Sequence, residues 1–217
     1  MISLKSPREI RLIKEAGRIV NLVFKEVETK LRPGMSTADV DKLALDVIVS
    51  EGGIPTFKGY GGFSGNVCVS VNDTLIHGIP STREIIKDGD IVSVDVGVTK
   101  DGYVADAART FLVGNVSEAA RKLVEVTEES FWYAVDKAAK PGNYVGDISH
   151  AIYEYASSRG YTLTQEYTGH GVGRKLHEPP AVPNVGKPKT GVMLKVGMTL
   201  AIEPMLNEGL VDLIVLK

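Results

Sequence analysis

The feature that most restricts how this chain can fold is a repeat hidden inside it. Laid over the residues 108 positions further on, Leu31-Arg32-Pro33-Gly34 with Asp39-Val40 meets Ala139-Lys140-Pro141-Gly142 with Asp147-Ile148. The same shift sets Lys87-Asp88-Gly89-Asp90-Ile91-Val92-Ser93-Val94-Asp95 over Lys195-Val196-Gly197-Met198-Thr199-Leu200-Ala201-Ile202-Glu203. A helix, a Pro-Gly break and a second helix form a common phrase. What makes the repeat specific is that one offset also aligns a strand ending in a carboxylate. Self-similarity at a fixed offset marks a duplicated supersecondary unit. The expectation is a single α/β domain over residues 1–217, built from two related halves of about 1–108 and 109–217 around a pseudo-two-fold axis.

Each half reads as helices followed by strands. Ser6-Pro7 offers an N-cap and a first-turn proline, and Ile10, Ile13, Ala16, Ile19, Val20 and Val23 recur at helical spacing. That helix should stop before Pro33-Gly34. Ser36 or Thr37 caps a second helix to about Ser50, closed by Gly52-Gly53. β-Branched stretches predict strands over 67–76, 90–99 and 103–113, with Lys100-Asp101-Gly102 as a hairpin turn. In the second half Ser117 opens a long helix to about Lys140, Pro141-Gly142 breaks it, and another runs from about Val145 to Ser158 before strands resume. Trp132, in the long helix, reads as core.

Charge and composition exclude several classes of function. With 25 Lys+Arg against 27 Asp+Glu the net charge is −2, and no basic stripe offers a grip on nucleic acid or an anionic membrane. The N-terminus is charged within five residues and lacks the apolar stretch of a signal peptide. No apolar run approaches the roughly 18 residues a membrane span needs. One cysteine, Cys68, cannot form an internal disulfide, which fits a reducing cytoplasm and excludes zinc sites built from several thiolates.

Chemistry concentrates in a few places. In Ile91-Val92-Ser93-Val94-Asp95-Val96, Asp95 interrupts an apolar strand and is expected to be buried, so it needs a cationic partner. Asp106 follows eleven residues later, across the turn. A two-residue loop would put the two aspartates opposite or diagonal on one face; a three-residue loop would separate them unless Gly102 forms a bulge. Facing carboxylates repel unless a proton or a divalent cation lies between them. Glu203 is the counterpart of Asp95, sharing a face with Thr199 and Ala201. Three histidines stand in Gly- or Pro-rich contexts: His77 in Ile76-His77-Gly78-Ile79-Pro80, His170 in Thr168-Gly169-His170-Gly171-Val172-Gly173, and His177 before Glu178-Pro179-Pro180. His150, inside a helix, reads as structural. One imidazole with several carboxylates suits Mn, Fe(II), Co or Zn. Gly59-Tyr60-Gly61-Gly62 and the His170 loop do not fit phosphate-binding patterns. Cys68 reads as a pocket wall, since nothing local would lower its pKa.

His77-Gly78-Ile79-Pro80, Asp95 with Asp106, Gly169-His170-Gly171-Val172-Gly173-Arg174 followed by His177-Glu178, and Gly197-Met198-Thr199-Leu200-Ala201-Ile202-Glu203-Pro204-Met205 together resemble type I methionine aminopeptidases over essentially the whole chain. The resemblance implies the pita-bread fold, two pseudo-symmetric halves with a curved antiparallel sheet covered by helices. It implies removal of the initiator methionine from nascent chains by a dinuclear divalent metal centre. Asp95, Asp106, His170 and Glu203 occupy its metal-ligand positions. Glu203 also takes the place of the general base, and His77 and His177 those of contacts to the substrate amide and the transition state. Tyr60, Phe63, Cys68 and Leu176 match the methionine pocket. The family works on nascent peptides near the ribosome, in the cytoplasm, as a monomer.

One departure from the family pattern bears on the metal. The fifth ligand of the family is a glutamate on a further strand beyond Glu203, and the residue 108 positions after Asp106 is Ile214, which cannot ligate. The expectation is a chain lacking the C-terminal segment, with the second metal site weak or empty and activity impaired. Two other readings compete: a pita-bread peptidase of the prolidase type, and a pita-bread binding module without catalysis.

Overall fold

The computed structural model of the chain describes residues 2–209 and 213–215. Two compact units emerge, one made of Lys5–Ala120 and Val172–Glu178, the other of Met1–Leu4, Arg121–Gly171 and Pro179–Lys217.

In the first unit, α1 (Pro7–Lys30) starts where the sequence places it. Ser6 Oγ accepts from Glu9 N, and the Glu9 carboxylate accepts in return from Ser6 N, 2.8 Å. Ala16, Ile19, Val20, Val23, Phe24 and Val27 form its buried stripe. Leu31 leaves the helix in extended conformation, two residues before Pro33. α2 (Thr37–Ser50) repeats the device with Ser36 and Asp39 and buries Val40, Ala44 and Ile48. β1 (Ile54–Pro55) and β2 (Cys68–Val71) pair with opposite ends of one edge of β3 (Ile91–Lys100), and β4 (Tyr103–Leu112) pairs along the other edge, all antiparallel. Val92, Val94, Val96 and Val98 are fully buried in one cluster with the apolar stripes of α1 and α2. The helices therefore cover the valine face.

β2 is shorter than the strand expected over 67–76. It ends at Val71 because Asn72 turns to φ +51°, Thr74 N donates to Val71 O at 3.0 Å, and the Asn72 side chain bridges to Ile91 N and Asp90. Asn72 N still donates to Ile91 O at 3.0 Å, but the Asn72 side chain takes the return bond that its own carbonyl would accept in a strand.

α3 (Glu118–Ala138) carries the chain onward. In the second unit α4 (Val145–Ser157) packs Val145, Ile148, Ile152 and Ala156 with Val126, Ala134, Leu163, Val182 and Leu194. β5 (Thr162–Leu163) pairs with β9 (Leu206–Asn207). β6 (Thr168–Gly171) lies between β7 (Glu178–Pro183) and β8 (Leu200–Ala201). Trp132 is not core: it stands 55% exposed on α3, edge-on to Phe131, because the buried stripe runs through Val126, Ser130, Ala134 and Ala138 instead. No helix among the described residues is long and apolar enough to cross a membrane.

Local hydrogen bonds recur at the 108-residue offset. Gly34 N donates to Ile86 O at 2.9 Å and Gly142 N to Leu194 O at 3.0 Å; Ile86 N donates to Met35 O at 2.8 Å and Leu194 N to Asn143 O at 2.7 Å. The bridge between Ser36 and Ile85 has its counterpart between Tyr144 and Met193. Gly34 and Gly142 adopt φ +91° and +94°, and Gly89 and Gly197 +93° and +94°, conformations that favour glycine.

Candidate metal centre and its flanking loops

The β3–β4 hairpin decides where Asp95 and Asp106 point. Lys100 pairs with Tyr103, so the loop holds two residues, Asp101 and Gly102, both at positive φ as a type I′ turn requires. In this register Asp95 opposes Ala108 and Asp106 opposes Gly97, which puts both carboxylates on one face, diagonal to each other. It is the face away from the buried valines. Asp95 is half-buried rather than buried, since Ala108 across from it is too small to cover it. A Cβ at Gly97 would lie 2.4 Å from the Phe57 ring, so glycine is needed there for Phe57 to lie beside the carboxylates.

On the opposite edge of β3, Cys68 faces Asp95. Burial first, then the carboxylates of Asp95, Asp106 and Asp41, push the Cys68 thiol far up. It stays a neutral, apolar wall.

The second pair of candidate ligands belongs to the other unit. His170 in β6 pairs with Ala201 of β8, and Gly169 lets the strands close: a Cβ there would meet Ala201 O at 2.3 Å. Leu200 and Ile202 pack on the second core, and Glu203 alternates with them. His170 Nδ1 lies 2.9 Å from Gly171 O, which can only accept, so the proton sits on Nδ1 and Nε2 presents a lone pair. Nε2 stands 3.1 Å from Glu203 Oε1. Yet Oε1 is buried and has no hydrogen-bond partner among the described residues, since an unprotonated Nε2 has nothing to donate to it. An imidazole oriented by a backbone carbonyl beside an unsatisfied carboxylate oxygen is the arrangement a cation completes. The donor set fits a divalent metal.

The residues matched to the pocket come together in the first unit. Cys68 and Leu176 form a buried cluster with Phe57, Val104 and Val172, and Phe63 packs against it. Tyr60 is 49% exposed, and its hydroxyl lies 2.7 Å from His177 Nδ1 with the rings edge-to-face at 5.3 Å. His77 stands on a separate loop, exposed, at φ +58°. That loop is stitched to β2: Val69 N donates to Gly78 O at 3.0 Å and Gly78 N to Ser70 Oγ at 3.1 Å. Sequence reasoning passed over Phe57, Val104 and Val172, whose apolar character only tertiary contact makes meaningful. It also passed over two links to the loop before β7. Lys5 pairs with Glu178 at 2.7 Å, and Arg174 lies over the Tyr103 ring at 4.7 Å while Tyr103 donates to Glu9 at 2.8 Å. The Ser6 backbone N–H first, then Tyr103, hold the Glu9 carboxyl down at about 2. Burial alone would raise Glu178, but the Lys5 ammonium and the Lys175 and Arg174 N–H groups hold it below the usual carboxylate range.

An antiparallel, helix-covered α/β fold carrying carboxylates and a histidine whose donor atoms fit a divalent ion marks a metal-binding protein. Metallopeptidase family M24 matches residues 11–213. Methionine aminopeptidase 1 of Bacillus subtilis (strain 168) is 50% identical over 209 residues, covering 96% of this chain and 84% of that protein. A crystal structure of methionine aminopeptidase from Thermotoga maritima superimposes with a TM-score of 0.97 at 46% identity, covering 100% of this chain and 87% of that one. The chain belongs to metallopeptidase family M24 and, within it, to the methionine aminopeptidases, with their pita-bread fold and divalent-metal dependence. Prolidase from Pyrococcus furiosus aligns less well, with a TM-score of 0.78 and 26% identity over 57% of that chain, so the prolidase reading is disfavoured. A non-catalytic binding module is disfavoured too, since these relatives are peptidases by name.

Proposed function

We propose that this chain removes the N-terminal methionine of nascent polypeptides, with two divalent cations held by Asp95, Asp106, His170 and Glu203. The observation that carries the reading is the His170–Glu203 pair, two acceptor atoms 3.1 Å apart of which one is buried without a donor. Family membership supports assigning the Asp95–Asp106 pair to the same centre. The mixture of carboxylates and imidazole suits Co, Mn, Fe(II) or Zn. The position 108 residues after Asp106 is Ile214, 84% exposed and without a ligand atom, so Asp106 has no acidic counterpart at that offset.

Divalent ions supply, when bound, a lowered water pKa and a polarised scissile carbonyl. Glu203 then serves as general base, since its buried oxygen has no donor to occupy it. With Tyr60 donating its O–H to Nδ1, His177 keeps its proton on Nε2 and can donate to an oxygen that gains charge in the transition state. His77 offers a second polar contact from its own loop. Phe63, Cys68 and Leu176, with Tyr60 at the rim, form an apolar, polarizable seat for a thioether. We place the reaction in the cytoplasm, close to the ribosome, and expect a monomer; the single buried thiol supports a reducing compartment.

The test is methionine release from a Met-Ala-Ser peptide, with metal content measured alongside. Release that depends on added Co(II) or Mn(II) and disappears in Glu203→Gln is expected. Peptide bound equally by wild type and Glu203→Gln, with no release at saturating metal, would favour the binding module.

A further inference from the structure

We propose that the Lys5–Glu178 ion pair is a positioning device for the loop 173–178, which carries Leu176 and His177. The inference rests on the reading of His177 as a substrate-contacting residue. Lys5 precedes α1 by two residues and is separated from Glu178 by 173 positions, yet its ammonium lies 2.7 Å from Glu178 Oε2 with the two side chains only 4% and 12% exposed. A lysine and a glutamate are seldom so buried unless each is held for a reason.

The rest of the Glu178 carboxylate shows the reason. Oε1 accepts from the backbone N–H groups of Arg174 and Lys175, at 2.8 and 3.1 Å. One side chain thus gathers the start of its own loop, while Gly173 N donates to Lys175 O at 3.1 Å. Gly173 is glycine for the same purpose: a Cβ there would meet Lys5 Cε at 2.5 Å and Glu178 Oε1 at 2.7 Å. The loop is also moored to β4, where Val104 N donates to Gly173 O at 2.7 Å two residues before Asp106. Between these anchors Leu176 turns inward to Cys68 and His177 meets the Tyr60 hydroxyl. Lys5 donates to Glu178, and replacing it alters the loop while Leu176 and His177 themselves stay in place in the sequence. Neutralising one partner leaves the other charge buried and uncompensated, and the loop must move to hydrate it.

The full chain labelled with 15N-histidine provides the test, with the His177 ring nitrogens assigned by their loss in His177→Gln. In Lys5→Met and in the isosteric Glu178→Gln those signals should move in the direction they move in Tyr60→Phe. The double variant should be displaced no further than the worse single one, as expected of two groups acting as one unit. Methionine release should fall about tenfold or more in kcat/KM, as loss of positioning does, with Co(II) affinity unchanged. His177 signals that superimpose on the wild type in both single variants, or effects that add in the double variant, overturn the proposal. The spectra need no turnover, so they decide the clamp even if the chain releases no methionine, a result that would count against the proposed function alone.

Discussion

The two halves of this chain share a scaffold and differ in what they hang on it. In both, a glycine after a proline closes onto a residue shortly before the carboxylate-bearing strand, with hydrogen bonds that agree to 0.1 Å. In both, an aspartate three residues into the second helix accepts from the N-cap backbone at 2.7 Å, Asp39 from Ser36 and Asp147 from Tyr144. The side chains that carry chemistry have diverged. Asp95 becomes Glu203, Asp106 becomes Ile214, and His170 has Gly62 as its counterpart. The strands differ as well: the first half holds a hairpin of two ten-residue strands, while among the described residues the second holds strands of two to six residues. Backbone closure tolerates little change because unpaired N–H and C=O groups are costly. Side chains at a site answer to the reaction instead, so a duplicated fold can hold one acidic pair and one imidazole–carboxylate pair.

The comparison can be broken at its most consequential point by exchanging the base. Glu203→Gln should reduce methionine release by about 10²- to 10⁴-fold, the range for loss of a general base, with the thermal transition unchanged. Asp95→Asn should be comparably damaging through the metal; a small loss in either variant would mean that the halves do not contribute as assigned. Metal stoichiometry is the next discriminator. Calorimetric titration with Mn(II) or Co(II) should show two ions per chain, and His170→Ala and Asp106→Asn should each weaken binding. Affinity unchanged in either variant would mean that its pair holds no metal.

Smaller effects sharpen the picture of the loops. His177→Ala should lower kcat by about 10²-fold, the scale for a lost transition-state donor, with little change in KM. Tyr60→Phe, which removes only the hydroxyl that orients the imidazole, should cost less. The smallest expected effect separates the two helix starts. Ser36→Ala should destabilise by about 1 kcal/mol, since Ser36 Oγ accepts from Asp39 N at 3.2 Å. Tyr144→Ala should cost less at the cap, because the Tyr144 side chain makes no cap hydrogen bond to lose. Chemical denaturation of both variants checks the difference.

Helices were legible because their signals are local. Ser6-Pro7, Ser36 and the Pro-Gly breaks stand beside the residues they organise, and α1, α2 and α4 begin where those signals place them. Parity along β3 likewise separated Asp95 from the valines before any register was known. Local readings failed where tertiary context overrode them, as at Asp95, which is half-buried rather than buried. The strand expected over 67–76 stops at Val71, because Asn72 turns to positive φ and its side chain takes the bond from Ile91 N that its carbonyl would otherwise accept. Trp132 looked like core from its apolar bulk, yet the rotation of α3 leaves it outside.

By itself the sequence determined the duplication, the helix limits, and the identity of the carboxylates and histidines able to ligate, since each is written as spacing along the chain. Only the tertiary structure decided the two-residue register that sets Asp106 diagonal to Asp95, the tautomer imposed on His170 by Gly171 O, and the meeting of Lys5 with Glu178. The first two turn on local geometry that spacing alone leaves open, and the last on a distance between residues 173 positions apart. Loop closure makes that distance expensive to impose, and no local pattern encodes it.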